Sequence, residues 1–258
     1  MKSEMISQMM EVARGCGQII RKASEERIGA DIKSSFRDLV TKYDVQVQNY
    51  AIGQLSERFP GAGFIGEESG EYEQAESALT FVIDPIDGTA NFVHHYQHSC
   101  TSIGCIRDGK PLAAVVYDPF LDEMFRAEKG QGAYLNDRRL RMEDLPLSEG
   151  LVLFGSAPYN PELTEETFRN LRSLFGKCQD VRQSGSAALD LCYVAAGRAA
   201  LFFESILSVW DYAAGALIVE EAGGRCTAFG GNTLVFDRPV KSSVLAGTPA
   251  SVAESGLL

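Results

Sequence analysis

The sequence predicts a layered α/β or α+β sandwich, and three observations carry that prediction. Apolar residues recur at three- and four-residue steps near the N-terminus, short apolar runs bounded by acidic or turn residues follow, and helical and strand-like segments alternate again through the second half. The 258-residue chain has the hydrophobic (45%) and charged (23%) fractions of an ordinary globular protein. A chain of this length buries roughly 70–75% of its unfolded surface, so it folds without a disulfide or a structural metal. No linker-like, low-complexity or repeated segment divides it, and residues 1–258 are read as one domain.

Taken in order, Ile6, Met9, Met10, Ala13, Cys16, Gly17 and Ile20 form the stripe of an amphipathic helix. A second helix starts near Asp44 and stops at Phe59-Pro60-Gly61. Gly63-Phe64-Ile65 and Leu79-Thr80-Phe81-Val82-Ile83 read as strands, each ending in acidic residues. Residues 101–127 read as an antiparallel meander turned at Asp108-Gly109 and Asp118-Pro119. Beyond it come a strand at 151–154, a helix at 161–175, a helix at 187–196, a strand at 199–203 and a helix at 211–222, the last closed by Gly223-Gly224.

Lys and Arg number 24 against 35 Asp and Glu, for a net charge of −11. That balance argues against nucleic acid as a partner, because a phosphate backbone is bound by clustered cations. It also implies that an anionic substrate arrives with cations of its own. The N-terminus lacks an apolar signal-peptide core and no run approaches the roughly 18 apolar residues of a membrane span, so no membrane association and a cytoplasmic location are expected. The six cysteines are scattered without a CxxC pair, as expected of free, buried thiols.

Three acidic clusters lie where apolar strands end or a helix begins: Glu67-Glu68, Asp84 with Asp87, and Asp211. If the strands share a sheet, these carboxylates crowd one edge and need cations to neutralise them. Carboxylate oxygens without nearby His or Cys favour Mg²⁺ or Ca²⁺ over zinc. Gly88-Thr89 then opens a helix, whose free amides are suited to an anion. Metals beside a phosphate cradle suit phosphoryl transfer to water. Taken alone, Asp84-Pro85-Ile86-Asp87-Gly88 has the composition of a surface turn; the other two clusters make that reading the poorer one.

With those motifs in place, the chain resembles the inositol monophosphatase family of the lithium-sensitive, metal-dependent phosphatases. The resemblance spans nearly the whole chain and rests on Lys33-Ser34 with Asp38-Leu39-Val40-Thr41 and Asp44, then Gly66-Glu67-Glu68-Ser69, Asp84-Pro85-Ile86-Asp87-Gly88-Thr89 with Asn91-Phe92, and Trp210-Asp211 through Glu221-Ala222-Gly223-Gly224. It implies a layered α-β-α-β-α sandwich of the inositol monophosphatase and fructose-1,6-bisphosphatase type, a homodimer, and two or three Mg²⁺ ions. Glu67, Asp84 and the Ile86 carbonyl would hold a first ion; Asp84, Asp87 and Asp211 a second; Glu67 would also touch a weaker third. Thr89 backed by Asp44 would activate the attacking water, with Glu67 contributing to catalysis, and the Gly88 and Thr89 amides would hold the phosphate. Asp87, Ala187, Glu204 and Asp211 would contact the substrate, a small phosphorylated polyol or sugar. Related activities on fructose 1,6-bisphosphate, histidinol phosphate or 3′-phosphoadenosine 5′-phosphate share this fold, and a regulatory binding protein is the non-enzymatic alternative.

Three rival motifs are weaker. Asp84-x-x-Asp87-Gly88-Thr89 has two residues between the aspartates, where an aspartyl-phosphate DxDGT motif has one. Cys192 through Arg198 has bare C-x5-R spacing, but the segment is apolar and helix-prone, so Cys192 reads as core. His94 and His98 are an i, i+4 pair without a third soft ligand and read, with His95, as helix-surface or packing residues. Trp210 reads as a packing anchor, and Glu71, Glu73 and Glu76 as a solvated acidic loop.

Overall fold

The first helix, α1 (Glu4–Ala23), forms where the three/four-residue stripe predicts it. Ser3 caps it by accepting from the Ile6 amide, Glu4 lies in its first turn and Arg21 and Lys22 in its last, all matched to the helix dipole. The computed structural model describes residues 3–33, 36, 39–68, 72–73 and 78–258. Ser34, Asp38, Ser69, Glu71, Glu76 and the side chain of Glu73 lie outside the described residues. Two short strands, β1 (Asp31–Ile32) and β2 (Leu39–Val40), pair antiparallel before α2 (Lys42–Arg58). That helix begins two residues before Asp44, because Thr41 and Asp44 close a reciprocal capping box that makes Asp44 the third helical residue.

An eight-stranded sheet follows: β3 (Gly63–Gly66), β4 (Tyr72–Glu73), β5 (Leu79–Asp87), β6 (Cys100–Arg107), β7 (Lys110–Asp118), β8 (Glu123–Glu128), β9 (Gly132–Leu135) and β10 (Arg138–Arg139). Its order is β10-β9-β8-β7-β6-β5-β3-β4, and β3–β5 is the parallel pair in it. The short helix α3 (Thr89–Val93) links β5 to β6. Asp108 and Gly109, both with positive φ, make the tight β6–β7 turn expected from the Asp-Gly pair.

The second half supplies β11 (Leu151–Phe154), α4 (Thr164–Phe175), β12 (Asp180–Arg182), α5 (Ala187–Ala195), β13 (Leu201–Ser208), α6 (Val209–Glu221), β14 (Arg225–Thr227), β15 (Lys241–Gly247) and α7 (Pro249–Glu254). The strands form a five-stranded sheet ordered β12-β11-β13-β15-β14. The helix expected from residue 161 begins with a 3₁₀ turn at Pro161–Leu163. The strand expected to end at 203 runs on to Ser208 through a bulge after Glu204.

Side-chain alternation along each strand sorts the molecule into five layers. On β5, Phe81 and Ile83 pack with Met9, Val47 and Leu55 of α1 and α2, while Val82 points to the opposite face. On β13, Leu201 and Phe203 face Leu174 of α4 and Val252 of α7, while Phe202 faces inward. The middle layer is α5 and α6, whose sequences are apolar nearly all round and are buried between the two sheets. The result is the expected α-β-α-β-α sandwich. Phe202 is fully buried in this middle layer. Phe202→Ala is therefore expected to destabilise the fold by about 3–5 kcal/mol, read as a lower urea midpoint with an unchanged slope. Among the described residues no helix is long and apolar enough to cross a membrane.

Candidate functional site

A cleft of about 640 Å³ opens where the C-terminal part of β5, the N-termini of α5 and α6, and β13 converge. Asp84 and Asp87 do not lie beyond a strand as expected; β5 continues through them, and a register shift against β6 between the two residues turns both into the cleft. Asp211 does not open α6: Ser208 is its N-cap and Asp211 its third residue, accepting from the Ser208 amide at 2.7 Å. Asp84, Asp87 and Asp211 each offer an oxygen within 4.8 Å of the others. Glu67, at the end of β3, lines the same cleft.

Asp87 and Asp211 are each held through one oxygen. Asp87 Oδ2 accepts from the Ala188 amide (2.8 Å) and the Ser186 hydroxyl (2.5 Å), docking the strand onto the start of α5. Asp44 Oδ2 accepts from the Thr41 amide and hydroxyl, while its Oδ1 accepts from Thr89 Oγ1 at 3.1 Å. The Thr89 hydroxyl is also 3.0 Å from the Ile86 carbonyl, so its single proton has two acceptors. Lys33 Nζ donates to Glu67 (3.1 Å) and Glu68 (2.6 Å). Asp84 differs: its Oδ1 is buried and has no hydrogen-bond partner among the described residues.

A buried, orphaned carboxylate oxygen amid three more acids is costly unless a cation meets it. The clustered donor atoms are all carboxylate oxygens, so the residues present fit a hard divalent cation such as Mg²⁺. Burial, then the charges of Glu67, Asp87 and Asp211, push Asp84 well above the usual carboxylate range. Burial and Asp87 do the same to Asp211, and burial raises Asp87 against the opposing bonds from Ser186 and Ala188. Glu67 rises to about 7 through burial, partly offset by Lys33.

Gly88 caps α3 with φ +87, and a Cβ there would stand 2.9 Å from the His98 carbonyl oxygen, which explains glycine at this position. Asn91 clamps the adjoining wall by donating to the carbonyls of His98 (2.9 Å) and Ser184 (2.8 Å). Ala187 is the first residue of α5 and lines the cleft. Glu204, on β13, lies across from it, accepts from the Ala157 amide at 3.0 Å and is raised to about 8 by burial. The structure thus brings Asp44, Glu67, Asp84, Ile86, Asp87, Gly88, Thr89, Ala187, Glu204 and Asp211 to one region.

Glu67 and Glu204 titrate higher folded than unfolded, so their contribution to stability is full below about pH 4.5 and lost as pH rises through about 7 to 8. With divalent ions chelated, the melting temperature is expected to fall between pH 5 and 8, and Mg²⁺ is expected to restore it. A scanning calorimetry series at fixed ionic strength, with and without Mg²⁺, measures both effects.

Sequence reading missed Ser186, although Ser before an apolar helix is an N-cap signature. It also missed Asp190, a carboxylate buried within apolar α5 that lines the cleft, and the exposed rings of Phe36, Tyr96 and Tyr159 at its rim. Neither the C-x5-R segment nor the histidine pair forms a site of its own among the described residues, although His94 lines the cleft. Cys192 is fully buried on α5, and all six cysteines are free, with Cys178 and Cys226 only half-buried. Helix α3 stops at Val93, so His94 and His98 do not share a helix face; His98 packs edge-on against Tyr193 instead. Trp210 is half-buried and packs on the central core, as expected.

The comparisons agree with this geometry. The model of the inositol monophosphatase family matches residues 1–257. The chain is similar to Nus factor SuhB of Escherichia coli K12, with 39% identity over 251 residues covering 96% of this chain and 92% of the relative. Its fold is similar to extragenic suppressor protein suhB from Bartonella henselae (TM-score 0.91, 34% identity, 98% and 97% of the two chains). It is also similar to Staphylococcus aureus inositol monophosphatase II, solved with inositol monophosphate (TM-score 0.82, 26% identity, 98% and 92% covered) and with 2′AMP. An orphaned carboxylate within an oxygen-only cluster, on a matching sandwich and over nearly the full length, leads to one assignment: the chain belongs to the inositol monophosphatase family.

Proposed function

We propose that the protein is a Mg²⁺-dependent phosphomonoesterase that transfers the phosphoryl group of a small polyol or sugar phosphate directly to water. The observation that carries this reading is the convergence of Asp84, Asp87 and Asp211 within 4.8 Å beside the Thr89–Asp44 hydrogen bond. Glu67, Asp84 and the Ile86 carbonyl would hold one cation, Asp84, Asp87 and Asp211 another, and Glu67 a weaker third. Bound there, the cations would lower the pKa of water and neutralise charge on the transferring phosphoryl group.

The chain's own residues do the rest. The Gly88 and Thr89 amides, free at the start of α3, orient the phosphate. Thr89 Oγ1 accepts the proton of the attacking water as its own passes to Asp44 Oδ1, which burial makes more basic than an exposed carboxylate. Asp87 and Asp211 flank the leaving alcohol, with Glu204 and Ala187 forming the wall that meets its hydroxyls. Attack forms the new P–O bond as the ester bond breaks, and the leaving oxygen takes a proton from solvent water to depart as the alcohol, so no phosphorylated protein residue accumulates. The ligands of the staphylococcal structures, both small phosphomonoesters, support this substrate class. The test is a panel of phosphomonoesters with and without Mg²⁺. Cyclitol and sugar monophosphates should be hydrolysed only with the ion, and no turnover of any ester would overturn the reading. A second reading is favoured by the name Nus factor that curated relatives carry: a regulatory binding protein that retains the site. Tight binding of a macromolecule by a preparation inactive on every ester would establish it.

A further inference from the structure

Beside the acidic cluster stands a cation that the proposed chemistry does not use. Lys33 Nζ lies 3.1 Å from Glu67 Oε1 and 2.6 Å from Glu68 Oε1, with its side chain 27% exposed. Glu67 faces the cleft as a candidate ligand, whereas Glu68 is fixed from behind, its amide donating to Gln48 Oε1 at 2.9 Å. A Cβ on Gly66 would meet Gln48 Oε1 at 2.5 Å, so Gly66 permits the contact that pins this corner. The ammonium therefore has one partner that belongs to the cation site and one that does not.

The backbone bearing Lys33 is lightly held. It follows β1, which pairs with β2 through two rungs, Asp31 with Val40 and Ile32 with Leu39, and both β1 side chains are exposed. A two-rung ribbon with exposed side chains contributes little stability of its own. By contrast, Asp84, Asp87 and Asp211 are fixed by β5 and α6 and cannot rearrange to suit a new charge.

We propose that Lys33 is a built-in counter-ion that competes with the divalent cation for Glu67, so that cation loading moves the ammonium off Glu67 onto Glu68. This inference rests on the proposed reading of Glu67 as a cation ligand. Two like charges on one carboxylate repel strongly in a partly screened pocket. Lys33 thereby sets a threshold: it neutralises Glu67 at low cation concentration and weakens cation binding until the concentration is high enough to displace it. The ammonium that leaves Glu67 keeps its second partner, so the exchange strands no charge.

The test compares the wild type with Lys33→Gln, and with Lys129→Gln as a charge-matched control at a distant surface ion pair. Mg²⁺ affinity is measured by calorimetric titration, and Lys33 accessibility by its rate of reductive methylation, read by peptide mass spectrometry. Lys33→Gln should bind Mg²⁺ about tenfold or more tightly, and Lys129→Gln should bind as wild type does. In the wild type, saturating Mg²⁺ should speed methylation of Lys33 and leave that of Lys129 unchanged. Equal or weaker Mg²⁺ affinity in folded Lys33→Gln would overturn the proposal and make Lys33 a residue that holds Glu67 in place. Were the variant not to fold, a Mg²⁺-independent methylation rate in the wild type would overturn it equally. No saturable Mg²⁺ binding in either protein would sink the cation site and this inference together. Mg²⁺ binding with the expected lysine effects, but no ester hydrolysis, would sink the phosphatase reading alone.

Discussion

Asp84→Asn is expected to lower phosphomonoester hydrolysis by roughly 10³-fold or more, because this residue contributes to both proposed cation positions. Its Oδ1 is a buried carboxylate oxygen with no hydrogen-bond partner among the described residues, and burial together with Glu67, Asp87 and Asp211 pushes its pKa well up. The same substitution removes a repelling charge, so with ions chelated the variant should melt at or above the wild-type temperature. Mg²⁺ should stabilise the wild type and not the variant. Steady-state kinetics and paired thermal melts measure the two effects. Near-normal turnover in Asp84→Asn would show that hydrolysis does not depend on this cluster.

Thr89→Val is expected to reduce kcat by roughly 10²–10⁴-fold while leaving KM within a few-fold of wild type, the pattern of a group acting on the proton of the attacking water. Valine keeps the shape and the backbone amide but deletes the oxygen that bonds Asp44 Oδ1 at 3.1 Å. Thr89→Ser retains that oxygen and should recover much of the rate. Mg²⁺ affinity should be nearly unchanged in both variants, since Thr89 offers no carboxylate to the cluster. A loss confined to KM would reassign Thr89 to phosphate binding.

Much of the fold is legible in the residue pattern. The spacing from Ile6 to Ile20 is the buried face of α1, and the Asp-Gly turn at 108–109 does join two antiparallel strands. The strands β14 and β15 and the terminal helix α7 were not anticipated. Arg225–Thr227 is three residues long, and Lys241–Gly247 begins with exposed and half-buried residues before reaching its buried run. Short segments carry little periodic signal, and pairing in the sheet decides them. The elements around Asp44, Asp84 and Asp211 run past the bounds that apolar patterning suggests. Capping boxes with Thr41 and Ser208 start α2 and α6 two residues before Asp44 and Asp211, and pairing with β6 carries β5 through Asp84 to Asp87.

Residue types and their order are readable along the chain: hard-oxygen acids in three clusters, a glycine and threonine opening a helix, and alternation that demands layers. Those properties are local, since ligand chemistry, turn propensity and periodicity belong to a few neighbouring residues. Packing of distant segments brings Asp84, Asp87 and Asp211 within 4.8 Å, leaves Asp84 an oxygen unpartnered among the described residues, and sets Lys33 against Glu67. Those facts depend on two sheets closing over α5 and α6. Distance and burial set the strength of every charge interaction in the site, and neither is written in the spacing of residues along the chain.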